Sequence, residues 1–375
     1  MPLGTEGLYT KGFLQNGRAF KDVSDLRTFK QNHGVGLVTF HRAELIQSLY
    51  DNLPDGAKAR YLLNKKVASI ESGEQGVKVI TTDGSVYTGS IVIGADGVHS
   101  TTRKIIRGLA LAEDPEREWD AENPFPAEYR CLWCTFPRPS EPGECFETPG
   151  KDLSAMYLTG RDRGWVLLYD RLPEATIERH DYTEKDIEKF AAKIAEYPLR
   201  ENLKAKDIFE KRFTWGLSDL GEGVAKHWSW GRIVLVGDAI HKFTPNTGSG
   251  LNNAIQDIVA LTNGLHSAIQ RVPGQPDSNT LTEVFKKYQE QRMNPLQEDY
   301  KRSALVTRLQ AWASRLHFFL SRFVFSWSFA ANFLVNHVIS PAVRQGLVLN
   351  YVACTDLPKG KVSWEHQIPN SEAAE

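Results

Sequence analysis

The chain has 375 residues, 45 Lys and Arg against 46 Asp and Glu, and is 41% hydrophobic and 24% charged. That even balance gives no electrostatic case for a nucleic-acid partner, and the length allows two domains or one large domain with an inserted lobe. Four cysteines in so long a chain do not make a disulfide scaffold.

The opening Met1-Pro2-Leu3-Gly4-Thr5-Glu6-Gly7 has no basic region running into an apolar core, so no secretory leader is expected. The expected location is the cytoplasm or a membrane surface. Residues 37–40 read as a strand and His41 to Tyr50 as a helix, with Leu45, Ile46, Leu49 and Leu53 as its apolar stripe. A hairpin-like stretch follows: Val67 to Glu71, Val77 to Thr82, an Asp83-Gly84 turn, and Val86 to Thr88. Ser90 to Gly97 reads as a buried strand ending in a Gly/Asp corner, and Val98, Ser100 and Arg103 lead into a short helix.

Residues 110–150, rich in Pro, Glu and aromatics, read as a crossing into a second lobe. Cys131 and Cys134 have redox-motif spacing. They sit, however, in a strand-like run, Tyr129 to Phe136, with no helix pattern behind it, so both are read as strand residues. Trp165 to Tyr169 reads as a strand of that lobe. Tyr182 to Ala195 reads as a helix with Ile187, Phe190, Ala191 and Ile194 on one face. The chain returns to the first lobe at Trp228 to Gly231. Further on, Thr280-Leu281-Thr282-Glu283 has capping-box spacing for a helix carrying Val284, Phe285 and Tyr288, and the C-terminal third reads as mostly helical. Phe323 to Asn336 carries no formal charge and is rich in Phe, Trp, Val and Leu. At about 14 residues it falls short of the ~20 a bilayer crossing needs, and it fits a buried helix, a monotopic membrane contact or an apolar-substrate entrance. The tail Asn370 to Glu375 is expected to be loose.

The most informative segment is Gly231 to Asn252. Ile233 to Val236 reads as a buried strand, Gly237-Asp238 ends it, and a Pro/Gly loop (Pro245, Gly248, Gly250) opens a helix near Leu251. In that helix Leu251, Ala254, Ile255, Ile258, Leu261, Leu265 and Ile269 recur at steps of three and four, giving one apolar face. Such a unit offers a carboxylate for sugar hydroxyls beside free backbone N–H groups and a positive helix end.

Two strand-to-Gly/Asp corners about 140 residues apart, with a lobe inserted between them, resemble the class A flavoprotein monooxygenases, whose prototype is para-hydroxybenzoate hydroxylase. Gly94-Ala95-Asp96-Gly97 resembles that family's Asp-Gly motif, and Gly237-Asp238-Ala239 with Pro245 and Gly248-Ser249-Gly250 its second FAD motif. Arg42 matches the arginine the family uses at its cofactor. The Trp228-Ser229-Trp230-Gly231-Arg232 lead-in and the apolar C-terminal helices are most similar to fungal enzymes of the paxilline-epoxidase type, from terpenoid and indole-diterpene pathways.

The resemblance implies an α/β fold: an FAD/NAD(P)-binding Rossmann-like domain over 1–109 and 226–275, an inserted α+β substrate domain over 110–225, and a helical region over 276–375. It also implies FAD, NAD(P)H as reductant, O2, and epoxidation or hydroxylation of a small apolar secondary metabolite, terpenoid or meroterpenoid. In that scheme Asp238 serves the ribityl chain and the backbone N–H groups of Gly250, Leu251 and Asn252 the pyrimidine end. Pro245 lies by the ring, Arg42 by the ribityl-pyrophosphate region and Asp96 on the pyrophosphate side. The residues Trp312, Phe318, Phe319, Phe323, Phe325 and Trp327 would line or screen the substrate pocket. No general base is implied, because epoxidation needs positioning and water exclusion more than side-chain chemistry.

The front of the chain departs from the family. No Gly-x-Gly-x-x-Gly follows a strand, and Met1 falls where the family's third segment is under way, so the Rossmann-like domain is N-terminally incomplete. The strand near Ile91 to Gly94 is therefore expected to be an open sheet edge. An incomplete gene model or splice form, a divergent protein that no longer holds FAD normally, and a partner chain all account for it. A truncated, non-catalytic accessory of the same family is the alternative function. Bland readings exist for each residue: Asp238 as a turn cap, Arg42 as a surface arginine, Asp96 as turn chemistry, His241 as a packed side chain. A metallophosphoesterase is disfavoured, since His241 sits one place too far from Asp238, Lys242 replaces the required glycine and no second ligand cluster follows.

Overall fold

Side-chain alternation builds the larger sheet. Along Ala127–Pro137, Leu132, Cys134 and Phe136 join one core while Tyr129 and Cys131 join another on the opposite face. The computed structural model describes residues 4–271, 274–354 and 358–369, so the tail Asn370 to Glu375 lies outside the described residues. Seven strands stand in the order Thr214–Gly221, Ala127–Pro137, Arg163–Thr176, Leu153–Thr159, Glu144–Thr148, Tyr9–Phe13 and Ala19–Val23. Helices Glu184–Lys193 and Ala205–Phe209 cover one face through Ile187, Phe190, Ile208 and Phe209. Burial pushes the Cys134 thiol up to about 12, and Cys131 higher still, as expected of plain strand residues.

One domain boundary is corrected. The resemblance puts residues 1–109 in the nucleotide-binding part, but the hairpin Tyr9–Phe13 and Ala19–Val23 extends the lobe's sheet. Tyr9–Phe13 runs parallel to Glu144–Thr148, and Phe13 meets Phe146 edge-on with ring centroids 5.4 Å apart. Burial of that aromatic pair decides where the hairpin goes.

A three-stranded sheet, ordered Ser229–Trp230, Ile233–Leu235, Val92–Gly94, carries the two Gly/Asp corners. Ile233, Val234 and Leu235 are fully buried, packed with Ile106, Leu261, Phe285 and Tyr288 from three helices. Val92–Gly94 is the last strand: its outer edge pairs with no strand among the described residues, the open edge the sequence implies. The hairpin expected over 67–88 forms as Val67–Gly73, Gly76–Thr81 and Val86–Gly89.

Two helices differ from expectation in the face they bury, and a third in its cap. Helix Ser249–Arg271 buries Asn253, Asp257, Ala260, Leu261 and Ala268, while Leu251, Ile255, Ile258 and Ile269 are exposed. A buried ion pair occupies its inner face and turns much of the apolar stripe outward. Helix Arg42–Asp51 leaves Ile46 and Leu49 exposed and has no buried residue of its own. Helix Ser278–Gln310 is capped by Asp277, whose carboxylate accepts the Thr280 N–H at 2.7 Å, so Thr280 lies in the first turn rather than at the cap. Finally, the apolar stretch 323–336 is not a buried helix. It belongs to a bent helix pair whose Phe323, Trp327, Phe329 and Phe333 face outward, so these aromatics line no enclosed pocket.

Candidate active site

The parallel register sets the site. Ile233 pairs with Val92 and Leu235 with Gly94, and the Val236 N–H donates to the Gly94 carbonyl at 3.0 Å. Both strands therefore end at the same level, which brings the corners holding Asp96 and Asp238 side by side at the carboxyl edge of the sheet. Open α/β sheets bind ligands at that edge.

At the second corner Gly237 adopts φ +63°, a conformation that favours glycine, and turns the chain sharply so that Asp238 leaves the sheet. Lys242 Nζ lies 3.2 Å from Asp238 Oδ2, and the Asp238 side chain is 40% exposed. The loop then passes through the single turn Pro245–Thr247 and through Gly248, with φ +64°, into the long helix. A Cβ built on Gly250 would stand 3.9 Å from Asp238 Oδ1. The carboxylate and the glycine loop therefore face one another across a narrow gap. Gly250 and Leu251 stand in the first turn of their helix, where a backbone N–H has no acceptor within the helix, while Asn252 follows at the position where the helix's own hydrogen bonding begins. They form the positive end of a 23-residue helix. The Asn252 side chain turns back onto the Gly248 carbonyl at 3.0 Å, and Leu251 is exposed beside it.

The first corner is arranged differently. Asp96 is exposed, yet both of its oxygens are engaged: Ser100 Oγ donates at 2.5 Å, and the Thr102 N–H and Oγ1 at 2.9 and 3.0 Å. Ser100 in turn accepts the Arg103 N–H at 2.9 Å, so the corner is laced to helix Thr101–Glu113. Arg103 ties the two corners together, donating to the Ala239 carbonyl at 2.9 Å and the Val98 carbonyl at 2.7 Å. Arg42, the first residue of its helix, is exposed and pairs with no carboxylate among the described residues. Its neighbour Glu44 reaches the inserted lobe at Arg163, 3.4 Å away. Among the described residues no side-chain hydrogen bond or ion pair joins Arg42 to either corner.

The sequence pattern missed what holds the second corner in place. Asp257, fully buried, accepts the Gly237 N–H at 3.1 Å and His241 Nε2 at 2.7 Å through one oxygen. Its other oxygen accepts Arg292 Nε at 2.9 Å, and Arg292 Nη2 continues to Asn253 Oδ1 at 2.7 Å. His241 is thus a packed side chain, as its bland reading has it, though one inside an ionic clamp. The signal was present: Asn253 and Asp257 stand four apart on one helix face. A second anchor holds the loop from the other side, where Thr244 Oγ1 bonds Ser303 and Thr307, and Asn246 bonds Thr307 and Gln310.

The fit to a flavin is good on one side. An acid facing a glycine loop, and the first-turn amides of a positive helix end, suit the ribityl chain and the electron-rich pyrimidine ring. Among the described residues no Gly-x-Gly-x-x-Gly turn stands ready for the adenosine diphosphate half.

Comparisons with known proteins agree. The FAD binding domain family matches residues 10–292. The FAD-dependent monooxygenase esdpE of Penicillium shearii is 30% identical over 375 residues, covering 97% of this chain and 74% of the relative. The FAD-dependent monooxygenase SAT1 of Stachybotrys chartarum is 40% identical over 221 residues, 58% of this chain and 74% of its own. Among solved structures, Klebsiella pneumoniae HpxO complexed with FAD and uric acid superposes with a TM-score of 0.66 at 18% identity, over 90% of this chain and 81% of that one. The chain belongs to the FAD-binding-domain family and, with these relatives, to the FAD-dependent monooxygenases.

Proposed function

We propose that this chain acts as an NAD(P)H-dependent flavin monooxygenase on an apolar secondary metabolite, a terpenoid or meroterpenoid, by epoxidation or hydroxylation. The observation that carries the reading is the Asp238 carboxylate facing Gly250 beside the first-turn amides of the long helix. Bound flavin supplies the redox chemistry, taking reducing equivalents from NAD(P)H and delivering one atom of O2 to the substrate. The residues of the chain bind and orient. Asp238 would accept ribityl hydroxyls, and the N–H groups of Gly250, Leu251 and Asn252 would hold negative charge at the pyrimidine end. Pro245 would close the ring side, and Arg42 and Asp96 the pyrophosphate side. Trp312 supports recognition of an apolar substrate carrying a few oxygens. It lies two residues past Gln310, and its buried Nε1–H has no protein acceptor.

The open edge at Val92–Gly94 favours a second reading, an accessory member of the family that holds no flavin. Titration of the purified chain with FAD, followed by flavin fluorescence and by NADPH and NADH oxidation, separates the two. Saturable flavin binding with nucleotide oxidation supports the enzyme. A colourless protein that binds none on reconstitution refutes it.

A further inference from the structure

We propose that the bent helix pair Arg315–Val324 and Ser328–Val343 is a docking surface for an anionic lipid bilayer, lying in the membrane interface without crossing it. The second helix is turned inside out relative to an ordinary surface helix. Its polar residues Asn332, Asn336 and Ser340, spaced by four, face the protein. Thr28 Oγ1 donates to Asn332 Oδ1 at 2.8 Å, and Asn32 Nδ2 donates to Asn336 Oδ1 at 2.8 Å and to Ser340 Oγ at 2.9 Å. His33 Nε2 meets the same Ser340 Oγ at 3.0 Å. Of the second helix's apolar residues Ala331 and Val335 are buried, but the large aromatics are left outside: Phe329 is 83% exposed, Trp327 in the bend 69%, and Phe333 51%.

The first helix repeats the arrangement. Leu316, Phe319 and Phe323, at steps of three and four, are each half exposed or more, and Phe323 packs against both Phe318 and Phe319 at 6.0 and 5.6 Å. A continuous aromatic surface of this kind is unfavourable in contact with water, so it calls for a cover.

Charge selects the cover. No Asp or Glu occurs from Lys301 to Val352. Among the described residues Arg315 and Arg322 have no carboxylate partner. The Arg322 guanidinium instead lies 5.1 Å from the Phe20 ring and 5.3 Å from the Phe323 ring. Cations rimming an aromatic surface match phosphate and serine headgroups above acyl chains. A second copy matches poorly, because a twofold contact would set these arginines against one another. Length sets the depth: no single helix is long and apolar enough to cross, and the pair bends by 107°. At 1.5 Å per residue the longer arm reaches about 24 Å, short of the ~30 Å hydrocarbon core. The inference does not depend on flavin binding.

Flotation of the full chain with vesicles tests it, since aggregated protein sinks while bound protein rises. With vesicles of phosphatidylcholine containing roughly 30% phosphatidylserine the chain rises, and less so as salt is raised. Phe329→Ser with Phe333→Ser lowers the partition at least tenfold. Arg315→Gln with Arg322→Gln lowers it about tenfold on the anionic vesicles and leaves phosphatidylcholine binding unchanged. Phe329, Phe333 and Arg315 are exposed and Arg322 makes only ring contacts with Phe20 and Phe323, so melting temperatures fall by a few degrees at most and report a folded protein. Wild type that stays at the bottom overturns the proposal. So does aromatic-variant flotation equal to wild type, or a vesicle-free dimer, seen by light scattering, that the same aromatic changes dissolve.

Discussion

Replacing Asp257 by Asn isolates the clamp under the second corner. The two side chains of the Asp257–Arg292 pair are 0% and 5% exposed, so the guanidinium has no route to water once the carboxylate is gone. The amide keeps one acceptor for three donors, the Gly237 N–H, His241 Nε2 and Arg292 Nε, and it adds donors of its own. Breaking one side of a buried pair costs about 3–5 kcal/mol, a large part of the ~5–15 kcal/mol that holds a folded protein together. At roughly 2–4 °C per kcal/mol, Asp257→Asn melts about 10 °C below wild type. Urea unfolding followed by tryptophan fluorescence measures the loss directly, and flavin titration of the folded fraction reports whether the corner has moved. Arg292→Met in the Asp257→Asn background removes the stranded charge. The double variant is expected to recover about 1.5 kcal/mol or more relative to the sum of the singles. A single-variant loss under ~1 kcal/mol, or strict additivity, would refute the view that the pair is a charge clamp.

Asp238→Ala leaves the fold intact, because its side chain is half-exposed and outside the core, and weakens FAD binding about ten- to a hundredfold in a fluorescence titration. Gly94→Val places a Cβ 2.6 Å from Leu235 Cδ2 and 2.7 Å from Thr102 Cγ2 at the junction of the corners. A stability loss of about 1–3 kcal/mol follows, read by urea melt. Burial pushes the Cys134 and Cys145 thiols up to about 12 and Cys131 further, whereas Cys354 is exposed. At pH 8 a thiol with that value is about one part in ten thousand thiolate, so iodoacetamide labels Cys354 alone in the native protein, as mass spectrometry of the labelled peptides would show. The sign of the linkage is fixed. The folded state keeps these protons while the unfolded chain releases them above pH ~8.5, so stability falls as the pH rises beyond that point.

The corners were legible because their chemistry is local. A run such as Ile233 to Val236 followed by Gly237-Asp238 dictates a strand and a sharp exit whatever surrounds it, and the glycine at φ +63° confirms the need. Orientation was less legible. Periodicity in residues 251–269 identifies a helix, but which side faces inward depended on Arg292, a residue on another helix that satisfies Asp257. Leu251 and Ile255 therefore point outward in spite of their hydrophobicity. The same rule hid the outward aromatics of 327–333, whose inward partners Thr28, Asn32 and His33 lie some 300 positions away in the chain. The hairpin over 9–23 was missed for a related reason, since its parallel partner Glu144–Thr148 is separated from it by more than a hundred residues. Local signals name elements; distant partners decide which way they face.

A line of side chains runs from the far sheet to the cofactor loop. Lys21 bonds Glu147 at 2.8 Å, Glu147 accepts Gln310 Nε2 at 2.9 Å, and Gln310 meets Asn246, the residue after Pro245. Burial alone would raise the Glu147 carboxyl, but the Lys21 ammonium outweighs it and holds the group below its ordinary value, so the link stays ionised. The lobe and the loop are thereby coupled like two ends of a short lever. Movement of the sheet at Lys21 relative to the proline turn would require one of these three contacts to break.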